Sequence, residues 1–190
     1  MKIGILAIQG DFELHNIALN KLSVDTVYVR NTVDLARSDA LILPGGESTA
    51  ISLLLNKYKL FDSIKDFSRS HSIFGICAGS ILMSQNSNDL RVNNFNFLEI
   101  SSNRNSWGSQ IDSFSDYISL VDDKILSKKY YATFIRAPKF FNIKETCSVL
   151  GSYNDQAVLI RNRKHLISSF HPEIGDDLCI YKYFLKMINE

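Results

Sequence analysis

The chain has 190 residues, of which 45% are hydrophobic. This length and composition exclude a disordered chain and predict one globular domain over residues 1–190. The 21 basic and 20 acidic side chains give a net charge of +1, which provides no strong field for binding a nucleic acid or an anionic membrane.

The first predicted elements are a buried strand and an amphipathic helix. "KIGILAI" is a continuous apolar run, which is typical of a strand buried on both faces of a sheet. Asp11 follows this run and can cap the next helix. The buried face of that helix is predicted from the apolar residues that recur at helical spacing, which are Leu14, Ile17, Ala18 and Leu22.

The alternation continues through the first half of the chain. "TVYVR", "ALILPGG" and "SIFGI" predict three more strands, and "AISLLLNKY" and "AGSILMSQ" predict two more helices. Ser48 or Thr49 can cap the first of these two helices. Such alternation predicts a three-layer α/β fold, with a mostly parallel sheet flanked by helices.

The second half has a different pattern. "FNFLEIS", "YYATFIR", "CSVLGSY", "QAVLIRN" and "HLISSF" are short apolar runs with little helix between them, and they predict a mixed or antiparallel extension of the sheet. Residues 85–94 are the most loop-like segment. The last stretch predicts a helix with an apolar face of Leu178, Tyr181, Leu185 and Ile188.

The cysteine pattern and the N-terminus indicate the cellular compartment in which the protein acts. Cys77, Cys147 and Cys179 are far apart and form no C-x-x-C motif, which argues against a disulfide framework or a zinc site and fits a reducing environment. The N-terminal apolar run is too short to cross a membrane, and no signal-peptide cleavage pattern follows it. We therefore expect a cytoplasmic protein that holds no metal and does not associate with a membrane.

Cys77 lies between two glycines, where a predicted strand meets a predicted helix. "GICAG" has the form of a nucleophile elbow, in which glycines allow a sharp turn that projects the sulfur from the carboxyl end of the strand. The helix that begins after the cysteine places the positive end of its dipole beside the sulfur. The motif alone leaves two interpretations open, because a lone cysteine is often a small buried hydrophobic residue.

A candidate base follows a later strand. His171 comes directly after "LISSF", and Glu173 is two residues further on, with Pro172 between them. Histidine can take a proton from a thiol and return it to a leaving group, and a glutamate can hold the imidazole tautomer. A histidine before a proline is otherwise a common turn residue. The remaining histidines, His15, His71 and His165, lack such neighbours, and we expect them to be surface or packing residues.

"PGGEST" is a candidate oxyanion site. Its two glycines allow backbone N–H groups to approach a substrate closely. The alternatives are a structural Pro-Gly-Gly turn and a phosphate loop, although the lysine spacing of a Walker motif is missing.

Taken together, these motifs resemble a class I (triad) glutamine amidotransferase domain, a flavodoxin-like fold. Within that class the chain is similar over essentially its whole length to the PdxT family, the glutaminase subunits of pyridoxal 5'-phosphate synthase. The matching segments are "GILAIQGD" at 4–11, "LILPGGEST" at 41–49, "GICAGSIL" at 75–82, "RNSWGSQIDSF" at 104–114, "FIRAP" at 134–138 and "SFHPE" at 169–173.

The resemblance implies a role for each residue that matches a family motif. Cys77 would attack the glutamine amide, His171 would be the base and then the acid, and Glu173 would orient the imidazole. The amides of Gly46 and Ala78 would stabilise the oxyanion. The residues implied for glutamine binding are Gly46, Glu47, Ser48, Arg104, Ile135 and Arg136. Gln9 lies in the first loop, and the resemblance places it near the partner interface.

The resemblance also implies a partner, and because the sequence contains no metal, nucleotide or haem motif we expect no cofactor. The ammonia would pass to a separate barrel-type synthase subunit of the PdxS family. The sequence departs from the family at Ser80, just after the elbow, and at Ser109 and Ser115, where we expect the loop around residues 104–116 to be anchored differently. Two alternatives remain open at this point: a catalytically silent amidotransferase-like module that binds or regulates a partner, and a triad glutaminase that serves another biosynthetic acceptor.

Overall fold

The structure is a computed structural model that describes residues 1–104, 113–121, 123–126 and 128–190, and over these residues the chain alternates between strands and helices. The strands are Lys2–Leu6 (β1), Asp25–Val29 (β2), Ala40–Leu43 (β3), Ser72–Ile76 (β4), Ser84–Ser87 (β5), Leu98–Asn103 (β6), Ser113–Leu120 (β7), Lys129–Ile135 (β8), Lys139–Phe141 (β9), Ser148–Tyr153 (β10), Gln156–Arg161 (β11) and Leu166–Ser168 (β12). The helices are Phe12–Lys21 (α1), Thr32–Leu35 (α2), Ser48–Lys57 (α3), Phe61–Phe67 (α4), Ala78–Met83 (α5) and Cys179–Ile188 (α6).

Nine of these strands form one sheet in the order β2-β1-β3-β4-β12-β11-β10-β7-β8. The first five are parallel to their neighbours, and the last four extend the sheet in antiparallel pairs. A small second sheet has the order β5-β6-β9. The predicted fold class, a mostly parallel sheet with a mixed extension, is confirmed.

The central strands separate two hydrophobic clusters. Alternate residues of a strand point to opposite faces, so that Ile42 contributes to the cluster beneath α1 and α6 while Leu41 and Leu43 contribute to the cluster beneath α3, α4 and α5. Both faces of the parallel strands are therefore covered by helices, which explains why these strands are continuous apolar runs.

The structure corrects the predicted face of α1. Ile17 is 49% exposed, whereas His15 is fully buried together with Ala18 and Leu19. His15, Ala18, Leu19 and Leu22 also recur at helical spacing, so the buried face is rotated by part of a turn from the prediction. The histidine interrupts the apolar pattern because it has a polar partner in the interior, which is described below.

Three further local predictions need correction. The cap of α3 is Glu47, whose side chain accepts a hydrogen bond from the N–H of Ala50, and not Ser48 or Thr49. The loop-like segment 85–94 includes most of β5. On α6, Tyr181 is buried as predicted, but Leu185 is only partly buried because the face against the core is broader than the predicted stripe.

No helix in the described ranges is long and apolar enough to cross a membrane.

Candidate active site

The candidate site lies at one edge of the large sheet. β1, β3, β4 and β12 run parallel, and their carboxyl ends therefore meet there. Gln9 follows β1, Gly45 and Gly46 follow β3, Cys77 follows β4, and His171 follows β12. The topology thus brings together four segments that are far apart in the sequence.

Cys77 occupies a sharp strand-to-helix turn. Its backbone φ of +47° is unusual for a residue with a side chain, and its N–H donates to Ser168 O at 2.9 Å. A Cβ on Gly79 would collide with the carbonyl oxygen of Leu43, so the turn requires a glycine at this position. Ser80 Oγ donates to Cys77 O at 2.6 Å and supports the first turn of α5.

The thiol of Cys77 is only slightly accessible. The residue is 6% exposed, and its Sγ lies 3.7 Å from the carbonyl oxygen of Ile135, to which it donates. This long contact holds the sulfur at the pocket wall.

His171 and Glu173 form a buried pair. Nδ1 of His171 lies 2.6 Å from Oε1 of Glu173, and the two residues are 9% and 7% exposed. The backbone N–H of His171 donates to Thr133 O at 2.8 Å, which fixes the histidine against β8. Nε2 makes no hydrogen bond of regular geometry with any described residue. The Glu173 carboxylate thus orients the imidazole through Nδ1 and leaves Nε2 on the other side of the ring.

The electrostatics of this pair favour a charged imidazole. Burial lowers the pKa of His171, but interactions with the Cys77 and Glu173 side chains outweigh it and raise the pKa to about 10. Burial raises the pKa of Glu173, and this is outweighed by His15 and His171, so that its pKa is lowered. The site therefore stabilises an imidazolium between the Glu173 carboxylate and the sulfur of Cys77.

His15 contacts this pair from the side away from the pocket, a role that was not predicted from its sequence. Its Nε2 is 3.9 Å from Oε1 of Glu173, and its Nδ1 is 2.6 Å from Oη of Tyr181. The expectation that His15 is a surface or packing residue does not account for these polar contacts. Its place on the buried face of α1 was the available signal, since a buried polar side chain requires a partner.

The loop after β1 packs closely against the loop after β3. Oε1 of Gln9 accepts a hydrogen bond from the N–H of Glu47 at 3.0 Å. Gly46 has a φ of +154°, and a Cβ at this position would collide with the Gln9 side chain. A Cβ on Gly45 would lie 2.5 Å from Cε1 of His171. The Gly-Gly pair therefore makes room for the histidine on one side and for Gln9 on the other.

Glu47 and Arg104 form an ion pair at the pocket wall. Nη2 of Arg104 is 2.7 Å from Oε1 of Glu47, and Nη1 is 3.3 Å from Oδ2 of Asp89. Burial raises the pKa of Glu47, but hydrogen bonds from Thr49 and Ala50 and the charge of Arg104 outweigh it and lower the pKa. Asp89 was not predicted as a site residue, because it lies in the loop-like segment and approaches Arg104 only in the folded chain.

These residues surround a pocket with a cavity volume of about 190 Å³. All but two of the predicted site residues line it; those that do are Gly46, Glu47, Ser48, Cys77, Ala78, Arg104, Ile135, Arg136 and His171. Glu173 lies behind His171, and Gln9 lies behind the Gly-Gly loop. Within the described ranges, no group of three or more histidine, cysteine, aspartate or glutamate residues is arranged to hold a metal ion.

Two of the departures from the family motifs lie around residues 104–116, and the described residues include one of them. Gly108, Ser109 and Gln110 lie outside the described residues. Ser115 is on β7, where its Oγ lies 2.9 Å from Oγ1 of Thr133 on β8. Ser115 thus contributes to the pairing of β7 with β8 near the carboxyl end of β8, which Ile135 ends and Arg136 follows.

Solved structures define the class of protein. The chain aligns with a structure described as the crystal structure of glutamine amidotransferase, with a TM-score of 0.92, 35% sequence identity and 99% coverage of both chains. It also aligns with the structure of PurLQS from Thermotoga maritima, with a TM-score of 0.68, 15% identity and 97% coverage of both chains, a likeness in fold alone. The fold is that of the class I glutamine amidotransferases.

The family follows from the sequence comparison. A model of the SNO glutamine amidotransferase family matches residues 5–190, and the chain belongs to this family. A pyridoxal 5'-phosphate synthase subunit PdxT of Francisella philomiragia is 41% identical over 98% of this chain and 99% of its own length. One of Thermosipho africanus is 39% identical over 100% of both chains. The resemblance drawn from the motifs is confirmed.

Proposed function

We propose that the chain hydrolyses L-glutamine to L-glutamate and ammonia, and that Cys77, His171 and Glu173 perform the reaction. One observation carries this proposal: the thiol at the elbow and the His171–Glu173 pair, whose nitrogen and oxygen are 2.6 Å apart, meet at one pocket. The raised pKa of His171 supports it, because an imidazolium beside the sulfur stabilises a nucleophilic thiolate.

The proposed reaction has two half-reactions. In the first, the Cys77 thiol gives its proton to Nε2 of His171, and Sγ attacks the side-chain amide carbon of glutamine. His171 then returns the proton to the departing nitrogen, which leaves as ammonia, and a γ-glutamyl thioester remains on Cys77. In the second, His171 takes a proton from water, whose oxygen attacks the thioester. Glutamate leaves, and the thiol recovers its proton.

Two backbone amides are suited to the oxyanion. The N–H of Ala78 is at the start of α5, next to the nucleophile, and the N–H of Gly46 is in the loop that touches His171 through Gly45. Both residues line the pocket. Donors aimed at the developing oxyanion supply a large share of the rate enhancement in acyl transfer.

The ends of the substrate carry charges that the pocket walls can match. Glu47 suits the α-ammonium group, and Arg104 and Arg136 suit the α-carboxylate. Glu47 and Arg104 pair with each other at 2.7 Å, and we propose that glutamine binds by exchanging this contact for contacts to its own charged groups. Ser48 and Ile135 line the same pocket and complete the proposed binding set.

The acceptor of ammonia is proposed from the relatives. Those reported above are described as subunits of pyridoxal 5'-phosphate synthase. We propose that this chain passes ammonia to a barrel-type synthase subunit of the PdxS family, and that the loop at Gln9 lies near the contact between them. Both proteins would act in the cytoplasm.

Copurification with the barrel-type subunit, followed by an ammonia assay on glutamine, tests this function. We expect the two chains to associate and the complex to release ammonia and glutamate in equal amounts. Association without glutamine hydrolysis would instead indicate a catalytically silent module. Hydrolysis without association would indicate a different acceptor.

A further inference from the structure

A polar cluster is buried on the far side of the triad from the pocket. It contains His15 of α1, Tyr181 of α6 and Glu173. His15 and Tyr181 are each 0% exposed, and Glu173 is 7% exposed. His15 and Tyr181 thus connect α1 and α6 to the Glu173 carboxylate that orients His171.

The hydrogen bond to Tyr181 selects one tautomer of His15. Burial raises the pKa of the Tyr181 hydroxyl well above its usual value, so the group keeps its proton and can donate it. The only described partner of this hydroxyl is Nδ1 of His15, at 2.6 Å. A donor facing Nδ1 leaves the imidazole proton on Nε2. Nε2–H then faces Oε1 of Glu173 at 3.9 Å.

Burial favours the neutral form of His15. Burial lowers its pKa, the carboxylates of Glu173 and Asp11 oppose this, and the charge of His171 adds to the lowering. A neutral imidazole with its proton on Nε2 still directs the positive end of an N–H dipole at Glu173. In an interior of low dielectric constant such a dipole acts strongly on a charge.

The arrangement is costly for folding. Nε2 of His15 and Oε2 of Glu173 are both buried and have no hydrogen-bond partner among the described residues. Each such atom costs free energy that an apolar side chain of similar shape would not. The cluster is therefore a poor device for holding α1 against α6, and its orientation toward the triad offers a better explanation.

We propose that His15 is a positioning residue that keeps the Glu173 carboxylate charged and directed at Nδ1 of His171, with Tyr181 setting its tautomer. This inference rests on the proposed glutaminase function. His15 does not touch the pocket, so its effect belongs to turnover and not to glutamine binding.

The test compares kcat and KM for glutamine in complexes of the wild-type and variant chains with the synthase subunit. We expect His15→Leu to lower kcat about ten-fold and to leave KM unchanged, as for the loss of one contact to a charged group. His15→Gln places an amide N–H near the position of Nε2, and we expect it to restore kcat to within about three-fold of wild type. His165→Leu is the matched control, because His165 is also buried but lies at the opposite ends of the strands.

A double-variant measurement separates positioning from packing. If His15 acts through Glu173, then His15→Leu causes no further loss of kcat in a Glu173→Ala chain, whereas a packing defect lowers kcat in both backgrounds. Should His15→Leu fail to fold, Tyr181→Phe removes only the hydroxyl, and we expect the same selective loss of kcat.

The outcomes separate this inference from the proposed function. A wild-type complex without glutaminase activity would refute the function itself. An active wild-type complex with unchanged kcat in His15→Leu, or in Tyr181→Phe if the first variant does not fold, would overturn the role of His15 alone. Equal losses of kcat in the two Glu173 backgrounds would do the same.

Discussion

Cys77 differs from the other two cysteines in its backbone and its surroundings. All three are buried, and none of them forms a disulfide. Only Cys77 combines a positive φ, the start of a helix and a place in the pocket wall. A residue with a side chain is held in this region of backbone conformation at a cost, and such sites often belong to functional machinery.

Replacing the proposed nucleophile tests its role directly. We expect Cys77→Ser to lower glutamine hydrolysis by about 10³-fold or more while the fold survives, because a hydroxyl is far less acidic than a thiol. Cys147→Ser and Cys179→Ser are the matched controls and should keep activity. Ammonia release measures the activity, and circular dichroism measures the fold. Substantial ammonia release by Cys77→Ser would contradict the covalent mechanism.

The two partners of the nucleophile should differ in importance. We expect His171→Asn to stop turnover, because the histidine moves protons in both half-reactions. Glu173→Ala should lower kcat less than His171→Asn does, and we expect the two losses to differ by about one to two orders of magnitude. The carboxylate orients and stabilises the imidazole without itself moving protons. Steady-state kinetics of both variants in complex with the partner distinguish these roles. A fully active His171→Asn enzyme would remove His171 from the mechanism.

At the scale of elements, β4 and β12 connect the edge that carries the candidate active site with the opposite edge of the sheet. Their carboxyl ends lead to Cys77 and His171. At their opposite ends, Nδ1 of His165 accepts a hydrogen bond from the N–H of Ile73 at 3.2 Å. Burial lowers the pKa of His165 to about 4. The neutral imidazole thus links the two strands away from the pocket.

This link predicts a loss of stability in acid. In the unfolded chain His165 gains its proton near pH 6.5, whereas in the folded chain it does so only near pH 4. The unfolded state therefore binds more protons between these values, and stability falls by about 3 kcal/mol as the pH decreases through this window. We expect His165→Asn to reduce this dependence, because an amide oxygen can accept from Ile73 without titrating.

Urea unfolding between pH 4 and pH 7 measures this effect. The difference in unfolding free energy between the wild-type chain and His165→Asn cancels the contributions of the other titrating groups. A difference that does not change with pH would show that His165 is not the group responsible.

At the scale of the whole molecule, the loops after β1 and β3 offer a route from a partner to the proposed oxyanion site. Gln9 contacts the N–H of Glu47, the residue that follows Gly46. A glycine can change its peptide orientation at little steric cost. A partner that binds the first loop can therefore act on the Gly46 amide without touching Cys77.

We expect the free chain to be nearly silent and the complex to be active. One misdirected oxyanion donor lowers a hydrolytic rate by about 10²–10³-fold, which is sufficient for a switch. Gln9→Ala should weaken activation by the partner and leave alkylation of the Cys77 thiol largely unchanged. Gln85→Ala is the matched control, because Gln85 is an exposed glutamine on β5 that does not line the pocket. Equal turnover of the free chain and the complex at saturating glutamine would show that no switch exists.

The sequence by itself determined the class of fold and the members of the candidate triad. Continuous apolar runs predicted the buried parallel strands, because such strands are covered on both faces. Cys77 and the Gly-Gly loop each come directly after one of these runs, and their placement at one edge follows from the rule that parallel strands end together. His171 follows a run that was predicted to belong to the mixed or antiparallel extension, and the parallel pairing of β12 with β4 brings it to the same edge.

Only the tertiary structure decided which residues contact the candidate site residues without lining the pocket themselves. His15 and Tyr181 are 166 positions apart in the sequence, and Asp89 lies in a segment with no clear pattern. Their roles depend on single polar contacts between elements, and no periodicity in the chain encodes such contacts. A lone buried histidine has the same local sequence whether it packs passively or faces a catalytic carboxylate, so only the three-dimensional arrangement distinguishes the two.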